Sequence, residues 1–526
     1  MSILQLFSII VVLNLFGDNM FAKVKSQGLY GLSSFDVIVE ADISSGLPRF
    51  DVVGLPDAAV KESRERVRAS IKNCGYDFPV SRITINIAPA DIKKEGPIYD
   101  LPILIAILKA SGQIMGDIHD YSFIGELSLN GEIRNATGVL PMVINAKDNG
   151  IDAIFVPYDN AGEASVIKGI DVLPARTIRD IIDHISGSKL IEPAYKELEE
   201  QDIMSDDLDF ADVKGQDEAK RALEVAAAGG HNCLMIGPPG TGKSMLAKRI
   251  GSILPEMSFD EKIETTKIYS VAGELSKSAK LIAKRPFRSP HHTVSAQGLT
   301  GGGANPKPGE ISLAHNGVLF MDEFPEFDRR AKESLRQPLE DGKITITRTS
   351  GTVTYPSNLM VIAAMNPCPC GYSGHPNKEC SCTEAAKKRY QDKVSGPLLD
   401  RIDIHIEVQN IDYEQLSGKK EEEKSEKIRE RVNRAREIQR KRFEGTNINC
   451  NAKMTPSATR KFCILSDEAD ALLKDSFDSM GLSARAYDKI LRIARTVADL
   501  DNSETIEFSH IAEAIQYRSL DRKYWR

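Results

Sequence analysis

An α/β fold organised around a phosphate-binding loop is what this chain predicts, and three observations predict it. The eight residues Gly237, Pro238, Pro239, Gly240, Thr241, Gly242, Lys243 and Ser244 fit the pattern G-x-x-x-x-G-K-[ST]. A short apolar run, residues 318–321, ends in two adjacent acids, Asp322 and Glu323. Ahead of both, residues 20 to about 186 alternate strand-like and helix-like stretches, which predicts a second α/β domain.

The loop has the right surroundings. Residues 232–236 are an apolar run that reads as a buried strand, and residues 245–250 begin a helix-period pattern. Glycines let the backbone turn its N–H groups inward around a phosphate, and the following helix adds the positive end of its dipole. Lys243 can then reach the β- and γ-phosphates of ATP, and Ser244 can ligate Mg²⁺. Asp322 would hold that Mg²⁺ through water, and Glu323 would orient and deprotonate the attacking water. A third apolar run, 359–365, ends in Asn366, a polar group suited to the γ-phosphate or the attacking water.

Composition narrows the class. A length of 526 residues predicts about three domains. A net charge of −7 argues against a nucleic-acid coat protein, though not against a ring that touches DNA with a few loops. Residues 1–19 are apolar-rich but shorter than the ~20 residues a membrane helix needs. They read as an extension before a start at Met20, so no stable membrane association and a cytoplasmic location are expected. Residues 187–212 form an acidic linker, 213–410 the nucleotide-binding core and 411–526 a C-terminal helical domain.

Cys74, Cys233, Cys450 and Cys463 are scattered and read as free thiols in a reducing compartment. Cys368, Cys370, Cys380 and Cys382 cluster soon after Asn366, with His375 between the pairs. Four thiolates in such a loop can bind tetrahedral Zn²⁺, although C-x-C is tighter than the usual spacing, and a reduced metal-free loop is the alternative.

Two resemblances add to this reading. The stretches 94–102 and 125–134 resemble the proteolytic domain of Lon proteases, which implies a ribosomal-S5-like fold for residues 20–186. The positions that would carry the Lon serine and lysine hold Ile98 and Leu140 or Pro141. None of these supplies a nucleophile or a base, so the resemblance implies an inactive domain. The runs 285–293, 308–317 and 322–327 resemble the Mg-chelatase-like AAA+ proteins of the ComM/YifB type, from residue 20 to about 520. That resemblance implies an AAA+ P-loop core with a helical lid, assembled as a hexameric ring. It makes Asn366 sensor 1, Arg401 an arginine finger reaching a neighbouring subunit, and Arg485 a sensor 2 residue acting in cis. An ion pair of Arg401 with Asp400 or Asp403, and a plain charged helix face for Arg485, remain as alternatives.

The family resemblance further implies DNA as partner, bound without sequence preference, and branch migration as the work done. In related AAA+ helicases an insertion and a hairpin line the central pore. Here these would be the glycines 301–303 and the alternating stretch 340–355, with Lys343 and Arg348 meeting phosphates. A plain structural hairpin is the even alternative. His291 and His292 lack further ligands at metal spacing and read as structural hydrogen-bonding groups, with pore or site residues as the alternative. A chelatase-type subunit that assists metal insertion, and a scaffold, are the other function classes. Residues 42–46 only half-match the adhesion motif the chelatase class would need, and a turn explains them better.

Overall fold

The computed structural model describes residues 20–194, 208–276, 281–303, 305–348, 351–375, 377–411 and 422–525. The extension 1–19, half of the acidic linker (195–207) and hairpin residues 349 and 350 lie outside the described residues. The chain divides into two compact units. The first contains the N-terminal part and a later stretch, Thr266–Ile282; the second contains the remainder.

Among the described residues the first unit has nine strands: β1 (Phe21–Tyr30), β2 (Ser33–Ser44), β3 (Arg49–Val53), β4 (Arg82–Ala88), β5 (Tyr121–Phe123), β6 (Glu126–Leu127), β7 (Ile133–Arg134), β8 (Ala153–Pro157) and β9 (Asp171–Ala175). Seven of them make one mixed sheet in the order β3-β4-β2-β1-β5-β8-β9, while β6 and β7 pair separately. Alternation in β1 buries Ala22 and Val24 on one face. β8 is apolar and buried throughout, as expected of a strand between two parallel neighbours. The Ala58–Asn73 helix starts where Asp57 accepts the Val60 N–H at 2.8 Å. It buries Val60, Val67 and Ile71, but Ser63 and Ser70 as well, and Ala58 is exposed. Its Arg66 reaches the buried Asp100 with Nε at 2.6 Å and Nη2 at 3.0 Å.

Ile98, Leu140 and Pro141 are all buried, so they serve the core of this unit. Residues 42–44 lie in β2 and the backbone bends only from residue 45, so the expected turn begins later than the sequence suggests.

The second unit holds a five-stranded sheet of β10 (Cys233–Ile236), β11 (Phe287–Arg288), β14 (Val318–Met321), β17 (Met360–Met365) and β18 (Ile404–Glu407), all parallel, in the order β11-β14-β17-β10-β18. β12 (Gly301–Gly302) pairs with β13 (Lys307–Pro308), and β15 (Lys343–Arg348) with β16 (Gly351–Pro356) as an antiparallel hairpin. β10, β14 and β17 are buried along their whole length, which explains why they read as continuous apolar runs. Because these three are parallel neighbours, their carboxyl ends emerge together on one edge of the sheet. The phosphate loop, Asp322–Glu323 and Asn366 lie directly beyond those three ends.

The C-terminal part is helical, with helices Ser425–Arg442, Asp467–Met480, Ala484–Leu500 and Phe508–Gln516 sharing one hydrophobic core with the sheet. A buried polar knot fixes them. Asp499 accepts from both Arg442 η-nitrogens (2.5 and 2.7 Å), Arg495 Nε (3.0 Å) and Asn451 Nδ2 (2.8 Å). Among the described residues no helix is long and apolar enough to cross a membrane.

Candidate active site

The phosphate loop closes as its glycines predict. Gly240 and Gly242 adopt φ of +84° and +89°. A side chain at Gly237 would sit 2.2 Å from the Val408 carbonyl oxygen, so only glycine fits where the loop leaves β10. Lys243 is buried, and its Nζ donates to the carbonyl oxygens of Gly237 (2.6 Å) and Pro238 (2.8 Å) and to Asn366 Oδ1 (3.3 Å). Burial lowers its pKa to about 8. Ser244 Oγ donates to Asp322 Oδ2 at 2.7 Å. Lys243, Ser244, Asp322 and Asn366 are thus brought together at one edge. A hydroxyl and a carboxylate in contact beside a lysine are the donor set that ATP-bound Mg²⁺ takes, so the residues fit Mg²⁺ and a triphosphate. Gln216, in the segment before the loop, donates to the Thr241 carbonyl at 3.2 Å.

Glu323 is placed differently. Its backbone is left-handed, φ 52° and ψ 44°. Its carboxylate is exposed and meets His292 Nδ1 at 3.0 Å. The imidazole of His292 lies tilted on His291, 4.1 Å between centroids. β11 pairs with β14 in parallel, so the residues after β11 come out beside the acids after β14. His292 therefore lies against Glu323 at the candidate site. The sequence leaves this histidine open between a site residue and a structural group; the strand pairing sets it beside Glu323.

Arg401 and Arg485 form a separate cluster. Arg401 Nη2 meets Glu340 Oε2 at 2.7 Å, and Nη1 donates to the Pro397 carbonyl at 2.6 Å. The expected alternative partners, Asp400 and Asp403, do not take it. Asp403 is partly buried and pairs with Lys489 at 3.5 Å, while Asp400 faces Arg485 at 4.0 Å. The Arg401 hydrogen bond holds the Glu340 carboxyl below the usual carboxylate range. Arg485 is 68% exposed, and its ion pair is with the residue next to Arg401.

The four clustered cysteines come together. Their sulfurs lie within 4.8 Å of one another. Cys368–Cys370 is 3.4 Å, Cys370–Cys380 3.6 Å and Cys368–Cys380 3.7 Å. Tetrahedral Zn²⁺ with Zn–S of ~2.3 Å asks for sulfurs about 3.8 Å apart, so the set fits zinc despite its C-x-C spacing. His375 is not among the converging groups; its Nδ1 accepts the Asn377 N–H at 3.0 Å. The thiol loop also touches the phosphate loop. A side chain at Gly371 would lie 2.7 Å from Pro239 Cδ.

Lys343 and Arg348 are exposed on the hairpin, but at opposite ends of β15 and on opposite faces by their parity, so they do not make one basic patch. The hairpin does meet the glycine insertion: Tyr355 Oη donates to the Pro306 carbonyl at 2.6 Å, and Arg348 Nη2 lies beside Gly302.

Comparison with known proteins agrees with this geometry. Three family profiles match: "Magnesium chelatase, subunit ChlI" over residues 209–416, "Subunit ChlI of Mg-chelatase" over 39–160 and "Magnesium chelatase, subunit ChlI C-terminal" over 422–518. The uncharacterized protein YifB of Escherichia coli (strain K12) is 43% identical over 507 residues, 95% of this chain and 97% of that protein. The competence protein ComM of Haemophilus influenzae is 41% identical over 508 residues, 95% of this chain and 98% of its own. A Lon protease of Mycolicibacterium smegmatis is 28% identical over 179 residues, 32% of this chain and 22% of that protein. The chain belongs to the Mg-chelatase-like AAA+ ATPase family of ComM and YifB.

Proposed function

We propose that this protein is an ATP-hydrolysing motor that remodels DNA, by branch migration or helicase action in recombination or natural transformation, and that it works in the cytoplasm as a hexameric ring. The observation that carries the reading is the convergence of Lys243, Ser244, Asp322 and Asn366 at the carboxyl edge of the sheet, with Arg401 held apart from it. In this reading Arg401 of a neighbouring copy completes the hydrolytic site. The similarity to a protein named for competence supports DNA as the substrate.

In this reading the loop N–H groups and Lys243 hold the β- and γ-phosphates. Ser244 and Asp322 hold Mg²⁺, which neutralises phosphate charge when bound. Glu323 takes a proton from water as its oxygen bonds to the γ-phosphorus and the bridging bond to ADP breaks. Asn366 orients that water, and Arg401 of a neighbouring copy stabilises charge on the transferred group. The four cysteines hold a structural Zn²⁺. The C-terminal helices act as the lid, and the first unit, Lon-like and peptidase-inactive, as a scaffold. Lys343 and Arg348 contact DNA phosphates.

ATP turnover and three- and four-stranded junction migration test this, in the wild type and in Lys243→Ala. Turnover that responds to forked DNA, with both activities lost in Lys243→Ala, is expected. Turnover indifferent to DNA and no strand exchange would overturn it. The matching chelatase profiles favour one second reading, an ATPase subunit that assists metal insertion. ATP-dependent insertion of Mg²⁺ into a porphyrin, with no response to DNA, would select that one.

A further inference from the structure

Arg401 is fixed at its backbone and tethered at its tip. Asn232 Nδ2 donates to its carbonyl at 3.0 Å, which ties this main chain to the residue before β10. The guanidinium is folded back on its own subunit by Glu340 and the Pro397 carbonyl, and its Nε is buried with no partner among the described residues. The Arg401 side chain is only 13% exposed, whereas that of Glu340 is 58% exposed. A group that must reach a phosphate in another copy is therefore turned inward, and the carboxylate that holds it lies on the solvent side.

Glu340 belongs to the helix Arg336–Asp341, which runs directly into the hairpin. One residue, Gly342 at φ +64°, separates that helix from Lys343. The Gly342 N–H donates to the Pro338 carbonyl at 3.0 Å, and the Ser357 N–H donates to the Gly342 carbonyl at 2.8 Å. The end of the helix and the strand leaving the hairpin thus close on the same glycine. Whatever moves Glu340 moves the hairpin base.

We infer that Glu340 is a positioning residue for Arg401, which holds the guanidinium on its own subunit until a neighbour's triphosphate takes it, and which passes that release to the β15–β16 hairpin. The inference rests on the reading of Arg401 as acting in trans. The chemistry of the exchange is conservative. A γ-phosphate offers the planar guanidinium the same paired oxygens as a carboxylate, with more negative charge. A pair with one exposed partner is weak enough to be displaced. Glu340 thereby links occupation of the neighbour's site to the element placed to touch DNA.

Full-length protein tests this through kcat and KM for ATP, with and without a single-stranded oligonucleotide, in Arg401→Ala, Glu340→Gln and Glu340→Asp. Arg401→Ala is expected to lose roughly 100-fold or more in kcat. Glu340→Gln is expected to raise DNA-free kcat several-fold with KM unchanged and to shrink the stimulation by DNA, and Glu340→Asp to restore the wild-type response. If Arg401→Ala is impaired while Glu340→Gln keeps both the wild-type kcat and the DNA response, the positioning role is overturned and the trans reading of Arg401 stands. Loss of turnover in Glu340→Gln overturns it equally. Wild-type turnover in Arg401→Ala overturns the trans reading, and this inference with it.

Discussion

The carboxyl edge of the five-stranded sheet and the Arg401 cluster differ in how their charged groups are held. At the edge, Lys243 is buried, donates three hydrogen bonds and is fixed by a loop just beyond a fully buried strand. In the cluster, Arg401 is held by one half-exposed carboxylate and one carbonyl, and Arg485 by a single 4.0 Å ion pair. The first region is preorganised for phosphate and costs little reorganisation at the moment of reaction. The second is held by contacts that a competing anion can replace. In the proposed mechanism the chemistry falls to the rigid part and its timing to the loosely held part.

The comparison breaks most sharply at Glu323. If the edge does the chemistry, Glu323→Gln keeps nucleotide affinity and loses about 10²–10⁴-fold in kcat. Turnover at the wild-type rate in that variant would move the base elsewhere. A pH series on nucleotide affinity comes next. The loop binds phosphate with the charged form of Lys243, whose pKa in the free protein is about 8. Affinity is therefore flat below pH 8 and falls by up to about tenfold per unit above it. The sign for stability is opposite. Folding depresses this lysine, so its destabilising contribution is full below pH 8 and fades as pH rises from there towards its ordinary value. A pH-independent affinity up to about pH 10, near the ordinary lysine value, would show that Lys243 does not carry the binding.

Gly371 sharpens the boundary of the rigid region. Gly371→Ala forces a methyl group against Pro239 at a residue with φ +84°, so KM for ATP rises several-fold; Gly374→Ala, with open space around it, leaves KM unchanged. Equal KM values would detach the thiol loop from the phosphate loop. The smallest effect belongs to the hairpin. Lys343→Ala lowers the slope of log affinity for DNA against log salt by about 1, read from binding titrations at several salt concentrations. An unchanged slope would remove Lys343 from the DNA contact.

How much can be read from the chain alone depends on the range of the interactions. The phosphate loop is legible because strand, turn and helix are contiguous, and its glycines stand where the loop needs a positive φ. The acids after β14 and Asn366 after β17 are legible because each ends a buried apolar run. The contacts His292–Glu323 and Glu340–Arg401 are not, because strand order brings distant segments together and no local pattern records it. The cysteine spacing hides a good tetrahedral set because a loop, not a tight knuckle, brings the pairs together.

The left-handed backbone at Glu323 has a consequence of its own. L side chains adopt that conformation at a cost of roughly 1–3 kcal/mol, and glycine would occupy it freely. Glu323→Gly is therefore expected to melt at a higher temperature than Glu323→Gln while losing a comparable share of turnover, so the carboxylate sits at a position whose backbone favours another residue.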